Sequence, residues 1–374
     1  MKVDFYKHSL DDSHLNAVGE VLKSAFLTAG PKTAEFEKRF AEWCAVDYSI
    51  GLTSCTAGLF LAIRALDLNP GDEVIVPAMT FIATSNVVLQ CGGTPVFVDV
   101  ESDTGLIDVK AVEAAITKRT RAVIPVHLYG HMADMQALRK LADKHKLFLL
   151  EDAAHSVEAV RDGHRPGQLG DAVAYSFYAT KNLTCGEGGA LNTRHQHVHD
   201  RVRILRQHGM SKSAAERYHN KYQHYDMLDL GFKYNMFDIQ AALLLPQLEN
   251  IEAQWQRREQ ICSYYEREFR TAGIAFPIVV PGAKSGRHLF TIWAPRGKRD
   301  AWLQALQDKQ IGVAVNYRAV HLMQYYREHF GFTEGILPVA EMIGDRTITL
   351  PLYPRLTDAE VEYVVKSVIE ISKT

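Results

Sequence analysis

The 374-residue sequence has no CxxC pair, no G-x-G-x-x-G fingerprint, and no apolar run long enough to span a bilayer. It also lacks dense Lys/Arg runs, internal repeats and low-complexity linkers. Each absence excludes something. Without the glycine fingerprint, a nicotinamide dinucleotide fold is excluded. Five cysteines, Cys44, Cys55, Cys91, Cys185 and Cys262, are an odd number without metal-type spacing. They point to a reducing compartment and not to a disulfide framework. A formal net charge of −2 offers nothing to recruit nucleic acid or an anionic membrane. The opening segment MKVDFYKHSLDD lacks the apolar core of a signal peptide, so a cytoplasmic protein of enzyme size is expected.

What is present is an ordinary soluble composition, 47% hydrophobic and 23% charged, on a chain long enough for a large core. The first part alternates strand-like and helix-like segments. YSIGL, EVIVP, PVFVDV, RAVIPVHLYG and LFLLED read as strands. PKTAEFEKRFAEWC, TSCTAGLFLAIRAL, FIATSNVVLQC and ADMQALRKLADKH read as helices, the first burying Phe36, Phe40 and Trp43. Continuous Val/Ile/Leu strands between amphipathic helices predict an α/β fold with a mostly parallel sheet covered on both faces. After about Phe237 the pattern changes. A long helix with Pro246 inside predicts a kink or a break into two helices. HLFTIWAP and IGVAVNY read as strands of a smaller α+β unit, closed by a helix capped at Thr357 or Asp358. The expected division is residues 1–250 and 251–374.

Open parallel sheets bind ligands beyond the carboxyl ends of their strands. Three such ends carry chemistry. TSCTAG opens a helix with two hydroxyls and free backbone N–H groups, either a phosphate cradle or a plain helix cap by Ser54 or Thr56. No lysine follows it, which excludes an NTP-type phosphate loop. LLEDAAHS ends a buried strand at Asp152, an acid able to hold a protonated ring nitrogen. Its plainer reading is a turn cap, with His155 a satisfied polar side chain. In SFYATKNLTCGEGGA, Lys181 stands among small and apolar neighbours. A desolvated lysine there is a nucleophile for aldehydes. A salt bridge to Glu187 or Asp171 is the structural alternative. Together, phosphate cradle, ring-nitrogen acid and imine-forming lysine are the parts of a pyridoxal phosphate (PLP) site. Ser176 could reach the same phosphate, and Phe81 could stack on the ring or belong to the core. RHQHVHD offers three histidines, but a spacing of two does not put them on one helix face, so a solvated helix start is expected and no metal.

With these segments in hand, the sequence resembles the DegT/DnrJ/EryC1/StrS family of PLP-dependent sugar-nucleotide aminotransferases. The likeness runs through LTAGPKTAEFEKRFAEWCAV, PGDEVIVPAMTFIATSN, GGTPVFVDV, PVHLYGHMADM, LRQHGM and GFKYNMFDIQAALLLPQLE as well as the three strand ends. It implies the fold-type I architecture of aspartate aminotransferase, with a large PLP-binding domain and a small C-terminal one. By position, Lys181 would carry the cofactor covalently and then shuttle protons, and Asp152 would bind the pyridine nitrogen. His155 would lie near the ring hydroxyl, where other members carry Gln. Thr56, Ala57 and Ser176 would hold the phosphate and Phe81 would stack on the ring. Asn235 would reach the phosphate of a neighbouring subunit, making a homodimer with shared active sites. As a residue, it also reads as a helix N-cap.

The implied reaction moves an amino group from L-glutamate to a keto-sugar nucleotide, with pyridoxamine phosphate (PMP) as carrier. Relatives with His in place of the lysine are dehydratases, so Lys181 reads as a transaminase. The closing segments are most similar to the branch that makes UDP-4-amino-4-deoxy-L-arabinose, which favours a 4-keto sugar. A 3-keto sugar or an aminocyclitol are the alternatives within the family, and a non-catalytic regulator the alternative outside catalysis. Cys55 and Met236 stand where many members have Gly and Arg. Candidate substrate contacts are His288, Tyr317, Arg318 and His321. Arg318 could pair with a diphosphate or a carboxylate, or lie on the surface, and His321 could cap a helix.

Overall fold

The computed structural model describes residues 1–212 and 224–373. Its main sheet is built from β1 (Tyr48–Leu52), β2 (Glu73–Pro77), β3 (Thr94–Val98), β4 (Thr120–Val123), β5 (Phe148–Asp152), β6 (Ala172–Ser176) and β7 (Gly189–Thr193). The spatial order is β1-β7-β6-β5-β4-β2-β3. Only β7 runs against its neighbours β1 and β6, and the other pairs are parallel. The predicted mostly parallel α/β sheet is therefore present. Reversal at β7 leaves β1, β5 and β6 pointing the same way. Their carboxyl ends, at Leu52, Asp152 and Ser176, share one edge of the sheet.

β2, β6 and β7 are buried at every position. That suits strands covered by helices on both faces. β7 was not foreseen. GALNT is short and follows a glycine-rich loop, and only pairing with residues far away in sequence makes it a strand. On one face, the helix Pro31–Cys44 packs through Phe36 and Phe40, with the Phe40 ring 5.0 Å from Tyr175 and 5.5 Å from Phe177. The third expected residue of that face, Trp43, is only half-buried and lies under the Arg165 guanidinium.

The long C-terminal helix breaks, but not at the proline. Helices Asp238–Glu249 and Ile251–Thr271 meet at Asn250. Pro246 stays inside the first, and Asn250 Nδ2 donates to the Pro246 carbonyl at 3.2 Å. Beyond it, β8 (Phe290–Trp293) and β9 (Thr347–Leu350) form a separate antiparallel pair. They pack with Tyr265, Phe269, Val364 and Val368 in a second core, which Val3 also joins. IGVAVNY is not a regular strand as expected. It touches Val3 through Ile311 and Thr349 through Ala314 as single bridges, with no continuous ladder. Thr357 is the cap of the last helix, with its side chain accepting from Glu360 N.

Gly189 shows how tightly β7 closes on the start of the helix Cys55–Arg64. A Cβ there would lie 2.2 Å from Ser54 C and 2.4 Å from Cys55 N. Gly189→Ala should destabilise the protein by about 2 kcal/mol in chemical denaturation, because backbone atoms cannot yield as a flexible side chain would.

Candidate functional site

Three strand ends supply the floor. Asp152 closes β5 and is buried. Thr84 donates to its Oδ2 at 2.8 Å and Ala154 N to its Oδ1 at 3.1 Å, while the Cys55 thiol lies 3.8 Å from Oδ1. Burial is the main cause that raises this carboxyl above its ordinary range, against the opposing pull of Thr84 and Ala154. After β6, a tight turn brings Lys181 N to Tyr178 O at 2.9 Å, and Lys181 is partly buried. Its nitrogen finds neither Glu187 nor Asp171. Asp171 is taken by Arg139 at 3.1 Å and His195 at 3.1 Å. The Lys181 nitrogen lies 3.4 Å from His288 Nε2 instead. Desolvation pulls its pKa down to about 8, only partly offset by Cys55 and Asp152.

The third end is the helix Cys55–Arg64. Ser54 is its cap, accepting from Ala57 N at 3.0 Å. Thr56 is exposed and Ala57 buried. The first-turn N–H groups of Cys55 and Thr56 have no intrahelical acceptor, so this end presents donors to an anion. Cys55 ties the helix start to Asp152 through its thiol. Ser176 is buried at the end of β6, with Oγ accepting from Tyr178 N at 3.4 Å and its own proton free to donate.

Aromatic rings and imidazoles form the wall. Phe81 is 53% exposed, which excludes the core reading, and its ring lies 5.7 Å from Tyr317. The Tyr317 hydroxyl is 3.3 Å from His155 Nε2. His155 and His288 lie with centroids 4.6 Å apart. Tyr129 N donates to His155 Nδ1 at 3.2 Å. Burial, reinforced by Lys181, holds His155 well below its ordinary pKa, so the ring is neutral and its proton sits on Nε2. These contacts join Lys181, His288, His155, Tyr317 and Phe81 in one continuous chain.

The remaining candidates stand apart from that chain. Asn235 lies beside the end of β1 of its own chain, bridging Leu52, while Thr53 N donates to Tyr234 O at 2.9 Å. Its Nδ2 donates to Met236 O at 3.2 Å and its buried Oδ1 has no partner. It does not cap the next helix, whose cap position is Phe237. Arg318 is exposed, in a cleft of about 330 Å³ with Phe81, Tyr317 and Arg299. His321 is fully buried and bound to Glu341 at 3.1 Å, in a short 3-10 turn where it caps nothing. Of the RHQHVHD histidines, His195 faces Asp171 and His199 faces Asp200 at 3.0 Å, at the start of the helix Gln196–Leu205. Among the described residues no cluster of three or more ligating side chains occurs. Sequence reasoning missed Thr84, Tyr129 and Asn182. Thr84, in FIATSN three residues after Phe81, was the one with a local signal.

The family model for the DegT/DnrJ/EryC1/StrS aminotransferase family matches residues 8–369. The chain belongs to this family. It is 42% identical to the spore coat polysaccharide biosynthesis protein SpsC of Bacillus subtilis over 366 residues, covering 96% of this chain and 94% of SpsC. Spr1654 of Streptococcus pneumoniae, in its PMP form, superposes with a TM-score of 0.94 at 31% identity, covering 100% of this chain and 99% of that one. PseC of Helicobacter pylori, an aminotransferase involved in the biosynthesis of pseudoaminic acid, gives a TM-score of 0.93 at 28% identity over the full length of both. The family is PLP-dependent, and Spr1654 has also been solved in its PLP form.

The residues present fit that cofactor. A ring carrying a protonated nitrogen would give the buried Asp152 carboxylate an opposite charge, and an aldehyde on that ring would take up the Lys181 amine as an imine. The helix end offers N–H donors for a phosphate, and Phe81 offers a bare aromatic face. Lys181 also sets a pH dependence. Between about pH 8 and the ordinary 10.5, the unfolded chain binds a proton that the folded site does not. Stability of the cofactor-free protein therefore rises with pH across that window, and the whole penalty is present below it. Lys181→Met should raise the Tm of cofactor-free protein at neutral pH. That gain should shrink as the pH approaches about 10, as thermal unfolding at several pH values will show.

Proposed function

We propose that this member of the family transfers the amino group of L-glutamate to a keto-sugar nucleotide, a 4-keto sugar in the first instance, releasing 2-oxoglutarate. The observation that carries the reading is Lys181, an amine partly buried with no carboxylate partner and a pKa near 8, on the same sheet edge as Asp152. Such an amine can take up and give back a proton near neutral pH. The sugar class rests on relatives such as SpsC and PseC, whose names place them in polysaccharide and pseudoaminic acid biosynthesis.

Bound PLP supplies an electron sink and, as PMP, a carrier for nitrogen between the two half-reactions. The protein's own groups do the rest. Lys181 Nζ is the group that would hold the cofactor covalently and would take up and return the proton of the amino-acid α-carbon. Asp152 would hold a proton on the ring nitrogen, and Thr84 and Ala154 N orient its carboxylate. His155 Nε2–H and Tyr317 stand where a ring hydroxyl can be recognised. The Thr56 hydroxyl, the free N–H groups of Cys55 and Thr56 and the Ser176 hydroxyl would anchor the phosphate, Ala57 N being taken by the Ser54 cap, and Phe81 would cover the ring. His288 and Tyr317 wall the substrate side. Arg318 and Arg299 line the cleft beside Phe81, where a diphosphate would find positive charge.

The functional assembly in this reading is a homodimer, with Asn235 completing the phosphate site of the second copy. Close by in sequence, Tyr225, Met227, Leu228 and Leu230 are each more than half exposed, and a like chain would cover them. Five free cysteines suit a cytoplasmic setting. Among the described residues, no helix is long and apolar enough to cross a membrane.

Lys181→Ala should abolish turnover and leave a cofactor that borohydride cannot fix to the protein. Normal turnover in that variant would end the assignment. Asp152→Asn should retain cofactor but lose about a hundredfold to a thousandfold in kcat. After loading with glutamate, the return of the visible cofactor band on adding 4-keto, 3-keto or cyclitol ketones identifies the acceptor. Arg318→Ala should raise KM for a nucleotide-linked ketone by roughly tenfold with kcat little changed.

A further inference from the structure

One buried chain of polar contacts ends on the Lys181 nitrogen. Arg258 and Glu158, both nearly inaccessible, form an ion pair. The other Glu158 oxygen accepts from Asn182 Nδ2 at 2.8 Å, and Gly286 O accepts from the same nitrogen at 2.8 Å. Two acceptors on one side of the amide fix which atom is nitrogen, because neither a carboxylate nor a carbonyl can donate. Asn182 Oδ1 is then the atom 3.1 Å from His288 Nδ1. An amide oxygen only accepts, so His288 must carry its proton on Nδ1. Its Nε2, 3.4 Å from Lys181 Nζ, presents a lone pair. The backbone is held as well. Gly286 N donates to Gly130 O at 2.8 Å, and Arg287 binds Glu259 at 2.7 Å and Glu266 at 2.5 Å.

We propose that His288 is a positioning residue for Lys181, locked by the Arg258–Glu158–Asn182 chain in the Nδ1–H tautomer so that its Nε2 presents a lone pair to the lysine nitrogen whenever that nitrogen carries a proton. This rests on Lys181 being the cofactor lysine. Its neighbour His155 is locked in the opposite tautomer, with its proton on Nε2 and directed to Tyr317. Two touching imidazoles thus have fixed and different duties. His288 turns the amine and steadies the ammonium each time Lys181 holds a proton. An acceptor favours the charged form of its donor, so His288 opposes the desolvation that depresses the lysine. The other titratable groups facing that nitrogen are Asp152 and Cys55, which favour its charge, and His155, which is neutral. Tyr317 faces His155, and Arg258 acts on His288 from the far side.

The test is the pH dependence of Lys181 acetylation by acetic anhydride in cofactor-free protein, read by peptide mass spectrometry. His288→Leu should lower the apparent pKa of Lys181 by roughly one pH unit. His288→Gln, whose amide oxygen can reach the lysine, should recover most of that loss. Asn182→Leu should lower it by less, since the ring remains but its tautomer is free. If His288→Leu does not fold, His288→Asn, too short to reach the lysine, takes its place. A pKa unchanged in both His288 variants overturns the proposal, and so does an equal fall in His288→Leu and His288→Gln. Borohydride fixation of cofactor to Lys181 in the parent protein is a separate arm. Its failure would sink the cofactor-lysine reading while the acetylation profile still reports on the imidazole.

Discussion

An amine and a carboxylate are kept apart in a place where water is scarce. Lys181 and Asp152 feel each other's charge, yet no ion pair joins them. Burial pushes the amine down in pKa and the carboxyl up, so both are biased toward their neutral forms. Closing the gap would satisfy both charges and remove the reactive amine. The protein does not close it. Asp152 is held back by Thr84 and by Ala154 N on its own turn, and Lys181 is held by a loop with separate anchors. Much of the surrounding structure can be understood as what maintains that separation.

The loop between β6 and β7 is fastened at several points. Gln247, on the helix Asp238–Glu249, accepts from Thr184 N at 3.0 Å and donates to Thr184 O at 2.7 Å. Asn182 binds Glu158, which in turn holds Arg258 on the helix Ile251–Thr271. Phe177, at the loop's start, lies under Phe40, and Phe177 N donates to Gly188 O at 2.8 Å. Both ends of the loop are therefore set by the sheet, and its middle by two consecutive helices. Asn250 separates those two helices.

The sheet and the floor of the site were legible in the sequence because their signals are local. A buried Val/Ile/Leu run, a helix cap and a lone lysine among small residues each need only a short window to be read. What was not legible depends on partners far away along the chain. GALNT becomes β7 only between β1 and β6. Asn182 looks like any loop asparagine until Glu158, Gly286 and His288 surround it. IGVAVNY has the composition of a strand, but its neighbours offer only single bridges at Ile311 and Ala314. His321 was attractive as a site histidine by type alone, and a carboxylate partner, Glu341, already occupies it.

The division of labour along the chain follows from the same geometry. Apart from Asn235, the groups proposed for the cofactor lie between Ser54 and Lys181, at and just beyond strand ends of the main sheet. Groups suited to the substrate, His288, Tyr317 and Arg318, come from the segments around β8 and reach the cofactor residues only through side chains. Changing Arg318 or the cleft around it leaves Asp152, Thr84 and the Lys181 loop untouched. Changing His288 does not, because its ring touches both the lysine and His155. The exposed margin of the cleft can therefore change on its own, while the imidazole pair ties the inner wall to Lys181.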